Sequence, residues 1–292
     1  METKISLKDM YDVHVHTSPS IARRKSTGVE ALKLASSEEM AGFVLLDHTY
    51  NTEVVAKVLN ELGYGAKVFG SILLNESVGG LNPSVVEAAI GLGTKQIQMP
   101  TYSTRNHEET MGDDVKTFPY KKRMKGVYVL DDRGRLIPEV EDILQLITGS
   151  QSFLGTGHLS AREAEVLVSR AKELKIRVLV NGASNGSGSE SLDFPIPSQK
   201  RMAGDHVFME HDYGVIIRTV QKRRTPIESL VEQIRAVGAE HCVIATDAGQ
   251  LEFPDFVSGL REFIKRLTEK GITEKEIDLM TRQNPRVLLG LS

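Results

Sequence analysis

The sequence predicts an α/β fold: a single (β/α)8 (TIM) barrel over residues 1–292, with room for distortion. Short runs rich in β-branched residues alternate with segments of helical period along the whole chain. Eight such units suggest a closed parallel barrel, and a length of 292 residues suits one barrel domain. Polar residues follow the apolar part of several strands, and a barrel gathers such positions at one mouth.

The predicted strands are short and apolar, as expected for strands that helices cover. They are 11–16, 42–48, 67–74, 94–100, 153–158, 177–180, 206–210 and 241–246. The seventh is the least distinct, because residues 215–220 are also β-rich and compete with it or extend it.

The predicted helices follow the strands in order. They are 28–40, 51–62, 82–92, 139–148, 160–174, 198–203, 226–237, 255–270, 274–280 and 285–289. Asn82 followed by Pro83 is typical of a helix start, and Ser160 with Glu163 forms a capping-box pattern. The stretch 101–138 interrupts the alternation after strand four, and within it residues 126–137 predict a β-hairpin that turns at 131–134.

Bulk composition argues against several classes of protein. The net charge of −3, without a basic run interleaved with aromatics, indicates no nucleic-acid or membrane partner. Cys242 is the only cysteine, so no intrachain disulfide can form, and a reducing compartment is favoured. With no signal-peptide pattern or membrane-length apolar run, we expect a cytoplasmic protein with a small-molecule substrate, and homo-oligomerisation is left open.

The first strand carries the clearest chemical signal, the sequence Asp12-Val-His14-Val-His16. Alternate residues of a strand share a face, so both imidazoles point the same way, about 7 Å apart along the strand. Imidazole is a common ligand for zinc and similar metals. An exposed strand carrying two histidines by chance is the alternative, but the position on strand one of a barrel favours a metal site.

Two further candidates end later strands. His158 follows strand five among glycines that let the backbone turn, although it could be a loop or capping histidine. Asp247 follows the apolar run of strand eight, where a carboxylate must be paired, solvated or metal-bound. A helix N-cap is the alternative for Asp247, but the Ala-Gly-Gln that follows and Pro254 delay the next helix.

Other polar residues fit the same mouth equally well as ligands or as ordinary loop residues. They are His48 after strand two, Glu76 after strand three, and Glu210 with His211 after strand seven. Together they could complete a second metal site or contact a substrate. His107 and Arg105 could bind an anionic group, although solvated loop positions are the simpler interpretation of both.

The positions of His14, His16, His158 and Asp247, and the closing run Asn284–Leu289, resemble the amidohydrolase superfamily across the whole chain. They resemble most a poorly characterised, amidohydrolase-like branch. The resemblance implies that His14 and His16 bind one metal with Asp247, and that Asp247 also takes a proton from the attacking water. It implies that His158 binds a second metal or contacts the substrate.

The sequence departs from that pattern at two strands. Where many members carry a histidine after strand six, this chain has Asn181-Gly182, and strand four ends at Pro100-Thr101 without a bridging lysine. One divalent ion, or two bridged by Glu76, is therefore expected, with zinc first and manganese, iron or nickel as alternatives.

The predicted activity is hydrolysis of an amide, lactam, lactone or ester bond by activated water. A phosphoesterase of the polymerase-and-histidinol-phosphatase type is an alternative, since the Asp47-His48 and Glu76 elements resemble that group. A metal-dependent decarboxylase and a barrel that only binds a ligand stay open. The sequence lacks a Gly-x-Ser-x-Gly elbow, a P-loop and a dinucleotide fingerprint, which argues against those chemistries.

Overall fold

A computed structural model of the protein describes residues 5–111, 126–184, 194–218 and 224–291. The predicted barrel is confirmed, because eight parallel strands form one sheet in sequence order. They are β1 (Tyr11–His16), β2 (Gly42–Leu46), β3 (Lys67–Leu73), β4 (Gln96–Gln98), β5 (Phe153–Gly155), β6 (Val178–Val180), β7 (Val207–Asp212) and β8 (Cys242–Ala245). A parallel bridge between Val15 and Ala248 brings β1 to the end of β8 and nearly closes the barrel.

Helices follow the strands around the barrel. They are α1 (Gly28–Ser37), α2 (Glu53–Asn60), α3 (Pro83–Leu92), α4 (Arg105–Met111), α5 (Pro138–Ile147), α6 (Ala161–Glu173), α7 (Ile196–Met202), α8 (Gly214–Ile217), α9 (Ile227–Val237), α10 (Phe256–Glu269), α11 (Glu274–Asp278) and α12 (Asn284–Leu289). Among the described residues, no helix combines the length and apolarity needed to cross a membrane.

The seventh strand ends later than predicted. It continues two residues past Glu210, to Asp212, and stays hydrogen-bonded to β8. Within the β-rich run at 215–220, residues 215–217 belong to the short helix α8 and so do not compete with it, while 219–220 lie outside the described residues. The backbone N–H of Tyr213 and of Gly214 donate to Ala245 and Thr246, so the chain turns into α8 where β8 ends.

The excursion after β4 contains the predicted hairpin in a shortened form. Leu130 and Leu136 make an antiparallel bridge, and the Ile137 N–H donates to the Val129 carbonyl (3.0 Å). The first arm also pairs in parallel with Thr104 through Val127. Helix α4, which the sequence did not predict, follows Thr104, and residues 112–125 lie outside the described part of the chain.

Two apolar layers pack against the strands, one outside the barrel and one inside it. One joins outward strand residues such as Phe43 and Leu45 to the helices. The other gathers inward residues such as Val44 and Phe208 with Leu288 of α12 inside the barrel. The inward residues form an apolar floor beneath the mouth.

A β-bulge in β1 changes which residues face inward. Asp12 pairs with Phe43 and Val15 with Leu45, so β1 advances three residues where β2 advances two. Val13 belongs to the inner layer, whereas Val15 belongs to the outer one. After the bulge, the inward position passes to the even-numbered residues, and His16 enters the mouth.

The buried carboxylate of Asp12 holds this bulge in place. Its Oδ1 accepts the backbone N–H of His14 (3.1 Å) and of Thr246 (3.2 Å), and its Oδ2 accepts the Thr246 hydroxyl (2.6 Å). Thr246 directly precedes Asp247, so one side chain ties the histidine strand to the aspartate strand.

Candidate metal centre

Three predicted ligands converge at the mouth of the barrel. The Nε2 atoms of His14 and His16 each lie 3.5 Å from Oδ1 of Asp247. Ligand atoms of the three residues all lie within 4.8 Å of one another. Tetrahedral zinc with bonds of about 2.0–2.1 Å places its ligands about 3.3 Å apart, so these separations suit a shared cation.

Hydrogen bonds on the far side of each ring fix which nitrogen is free. Nδ1 of His16 lies 3.0 Å from the Leu46 carbonyl, which can only accept, so Nδ1 carries the proton. Nδ1 of His14 lies 3.2 Å from Oε1 of Glu210 and donates to that carboxylate. Both Nε2 atoms therefore face Asp247, and this ring orientation is the one that outer partners give to metal-ligating histidines.

The two imidazoles differ in charge when no ion is bound. Burial, reinforced by the Arg24 guanidinium, lowers the pKa of His16 to about 4, so His16 is neutral at pH 7. Burial acts to lower the pKa of His14 too, but the carboxylates of Glu210 and Asp247 outweigh it and raise that pKa to about 10. The His14 side of the site thus attracts positive charge.

Asp212 adds a further carboxylate on this side. Burial first, and then the Glu210 carboxylate, raise the pKa of Asp212 well above its usual value. Its Oδ1 is buried without a hydrogen-bond partner among the described residues, and a ligand atom of Asp212 lies within 4.8 Å of those of His14 and Glu210. A buried oxygen of this kind is stabilised by a cation or a proton. The donor set and this oxygen therefore fit a divalent ion.

The carboxylate of Asp247 is held ionised. Burial acts to raise its pKa, but His14, His16 and the Arg218 guanidinium together hold it below the usual range. Oδ2 of Asp247 lies 3.9 Å from Nη2 of Arg218, whereas Oδ1 faces the histidines. The two oxygens of one carboxylate thus face different groups.

The backbone at Asp247 is unusual for a residue with a side chain. Its φ of 50° lies in the left-handed region, which costs energy outside glycine. The next residues hold it: the His16 N–H donates to the Ala248 carbonyl (2.8 Å), and Gly249 passes against His16. The segment after β8 therefore positions two of the three ligands together.

His48, a predicted ligand, lies one layer behind the three. Its ring stacks on His16 with centroids 5.0 Å apart, and its Nδ1 lies 3.1 Å from the Thr101 hydroxyl. Burial first, and then His16 and Arg24, lower its pKa well below the usual value. In this position His48 supports the His16 ring, and its role as a ligand stays a prediction.

His158 lies in the same mouth but outside the group of three. Its Nδ1 is 2.9 Å from Nδ1 of His107, and the two rings stack with centroids 4.9 Å apart. Tyr102 meets both rings edge-on. Burial lowers the pKa of His158 to about 3, so its imidazole is neutral. The roles predicted for His158, in metal binding and catalysis, remain predictions, but its place suits a substrate contact.

The remaining predicted residues lie elsewhere. Glu76 starts an exposed 3-10 turn, Glu76–Val78, and belongs to neither group of clustered ligands among the described residues. This placement gives no support to Glu76 as a ligand or bridge. Arg105 pairs with Glu108 and Glu109 on α4. His211 points away from the mouth, where its Nδ1 lies 2.5 Å from the Ser184 hydroxyl.

Asn181, at the position where a histidine was expected, supports the site indirectly. Its Nδ2 donates to Oε2 of Glu210 (2.9 Å), and its Oδ1 accepts the Gly157 N–H (3.0 Å). The Gly182 N–H also donates to Glu210 (3.1 Å). Asn181 therefore fixes the carboxylate that orients His14, while its own oxygen is held by the Gly157 N–H.

Sequence reasoning missed four residues: Asp12, Asp212, Arg24 and Arg218. Asp212 could have been found, because Glu210 and Asp212 have the same i, i+2 spacing as His14 and His16. The two arginines lie in loops, and nothing in the local sequence shows where their side chains reach.

Solved structures share this fold at low sequence identity. An amidohydrolase from Pseudomonas aeruginosa matches with a TM-score of 0.66 at 11% identity, over 97% of this chain and 95% of its own. The probable dipeptidase PvdM from the same organism matches with a TM-score of 0.65 at 10% identity, over 96% and 94%. A mutant organophosphorus hydrolase from Deinococcus radiodurans matches with a TM-score of 0.60 at 11% identity, over 96% and 92%. The predicted resemblance to amidohydrolase barrels is thus confirmed at the level of the fold.

Comparison of sequences, rather than of structures, identifies the family of the chain. No curated protein matches it. A family model described as a family of unknown function, DUF6282, matches residues 9–210, more than two thirds of the chain. That segment contains β1 to β6 and most of β7, including His14, His16, His158 and Glu210. The chain therefore belongs to the DUF6282 family.

Proposed function

We propose that the protein is a metal-dependent hydrolase that uses activated water on an amide, lactam, lactone or ester bond of a small molecule. One observation carries the proposal: Nε2 of His14 and of His16 both lie 3.5 Å from Oδ1 of Asp247, with each Nδ1 already engaged. Two imidazoles and a carboxylate are a donor set of catalytic zinc sites, which keep a position open. Zinc is accordingly the proposed ion.

A bound divalent ion would supply Lewis acidity, which lowers the pKa of water to about 7 and polarises the bond to be cleaved. The protein's own groups manage the proton. Asp247 is ionised at neutral pH, and its Oδ2 faces Arg218 rather than the histidines, so Oδ2 is the oxygen that accepts a proton from the attacking water. The protonated carboxyl group then passes the proton on to the leaving group.

His158 and its neighbours define the far wall of the mouth. The hydrogen bond to His107 fixes the His158 ring, and burial keeps it neutral, so it offers a hydrogen bond to a substrate without adding charge. A single cysteine, buried and free, supports a reducing compartment, and a cytoplasmic location is part of the proposal.

Metal analysis and a substrate screen test the proposal together. The purified protein should take up zinc in stoichiometric amount and hydrolyse some members of an ester, lactone and amide panel. His14→Ala or His16→Ala should remove most of the metal. Asp247→Asn should keep the fold and abolish turnover. A wild-type protein that takes up no divalent metal would instead indicate a barrel that only binds a ligand, while activity confined to phosphoesters with manganese would favour the phosphoesterase alternative.

A further inference from the structure

Arg24, in the loop after β1, carries a charge with no acidic partner in the described part of the chain. The residue is partly buried, and its Nε donates to the Ser20 hydroxyl (3.3 Å). Its Nη2 lies 3.5 Å from Nδ1 of His16. That nitrogen already carries the proton that it donates to Leu46, so it cannot accept another. The guanidinium therefore retains unused donors beside the metal centre.

Arg218, the other arginine at the mouth, is different. Its Nη2 faces Oδ2 of Asp247 at 3.9 Å, so its charge is matched inside the protein. Arg24 instead lies beside the His16 ring, and no carboxylate of the described residues lies within ion-pair distance of it. The mouth is consequently polarised, with carboxylates on the His14 side and an unmatched cation on the His16 side.

We propose that Arg24 binds an oxyanion group of the substrate, a carboxylate or a phosphate, next to the bond that is cleaved. A guanidinium presents a planar fork of donors that suits both groups and can bind them through two parallel hydrogen bonds. Arg24 and Asp247 lie at opposite nitrogens of the same His16 ring, Nδ1 and Nε2, each 3.5 Å away. In this arrangement the anionic group of the substrate lies close to the scissile bond. This inference rests on the proposed hydrolase function.

Ligand binding to the zinc-loaded protein tests the inference by calorimetry. The probes are succinate, inorganic phosphate and, as an uncharged analogue, dimethyl succinate. The variants are Arg24→Gln and the matched control Arg23→Gln, whose side chain is the exposed neighbour. Removing a charge-assisted contact should weaken anion binding by roughly ten- to a hundred-fold in Arg24→Gln and leave it unchanged in Arg23→Gln. The preferred anion identifies the substrate group, and the diester should not respond to either substitution.

Zinc affinity, measured on the same variants without any anion, separates binding from structure. Arg24→Gln should hold zinc as tightly as the wild type. Loss of zinc in this variant would reassign Arg24 to supporting His16 and overturn the inference. Equal anion affinity in both variants, or no anion binding to the wild type, would overturn it as well. Failure of this inference can be distinguished from failure of the hydrolase proposal. If the hydrolase proposal fails, the wild type takes up no zinc. Arg24-dependent anion binding can still be measured on the zinc-free protein.

Discussion

Substitution of Gly249 by alanine should loosen the metal centre without touching a ligand. Gly249 has a φ of 143°, and a Cβ built there would lie 2.5 Å from the His16 carbonyl oxygen and 2.6 Å from His16 Cβ. Restoring even a tight contact of 3.4 Å requires a shift of about 0.9 Å, since 3.4 − 2.5 = 0.9. Displacing a site residue by about 1 Å can cost on the order of a hundred-fold, so zinc affinity should fall by roughly ten- to a hundred-fold.

Gly63→Ala is the matched control for this substitution. Gly63 also has a positive φ, 74°, but an added Cβ there would meet nothing within 4 Å. It should lose about 1 kcal/mol of folding free energy from backbone strain alone and keep its zinc affinity. Zinc titration against a chromophoric chelator, with urea unfolding of both variants, separates the two effects. A folded Gly249→Ala protein with wild-type zinc affinity would refute the reasoning.

Three further predictions address the groups around the ligands. Glu210→Gln places an amide where two sets of donors need acceptors. Zinc affinity, measured by competition with a chelator, should therefore fall about 10- to 100-fold. Unchanged affinity would mean that Glu210 does not orient His14. Asp12→Ala leaves the N–H groups of His14 and Thr246 without acceptors, so the free energy of unfolding in urea should fall by roughly 3 kcal/mol or more. Asp12→Asn can still bond to both strands and should lose less than about 1 kcal/mol. Equal losses in the two variants would contradict this account. Burial lowers the pKa of His211 to about 3, so the folded protein binds fewer protons than the unfolded chain between that pH and about 6.5, and stability falls as the pH drops through this window. At pH 5 the loss from His211 is about 2 kcal/mol, and His211→Gln should show a smaller acid-dependent loss than the wild type.

Much of the fold was predictable because it depends on local periodicity. Alternating strands and helices indicated the number of units, and two helix starts were confirmed in detail. The Asn82 side chain accepts from the Ser84 N–H ahead of Pro83, and Ser160 with Glu163 forms the capping box. These features depend on residues a few positions apart, and a sequence displays such relations directly.

The parts that were not predicted depend on contacts between distant residues. Helix α8 starts where the N–H groups after β7 meet the last carbonyls of β8, a tertiary contact with no local signal. The bulge in β1 depends on Asp12 reaching Thr246, 234 positions away. The proposed ligands His14, His16 and Asp247 were recognisable by residue type and strand position. The supporting roles of Glu210 and Asn181 become visible only when β6 and β7 lie side by side.

The extra residue in β1 decides which side chains of this strand point into the barrel. The first part of the strand supplies apolar side chains to the barrel interior, and its last part supplies imidazoles to the mouth. A deletion of one residue here would keep every ligand in the chain yet turn His16 toward the surrounding helices. To keep this site, a DUF6282 sequence therefore has to preserve the register of this strand as well as the identity of its ligand residues.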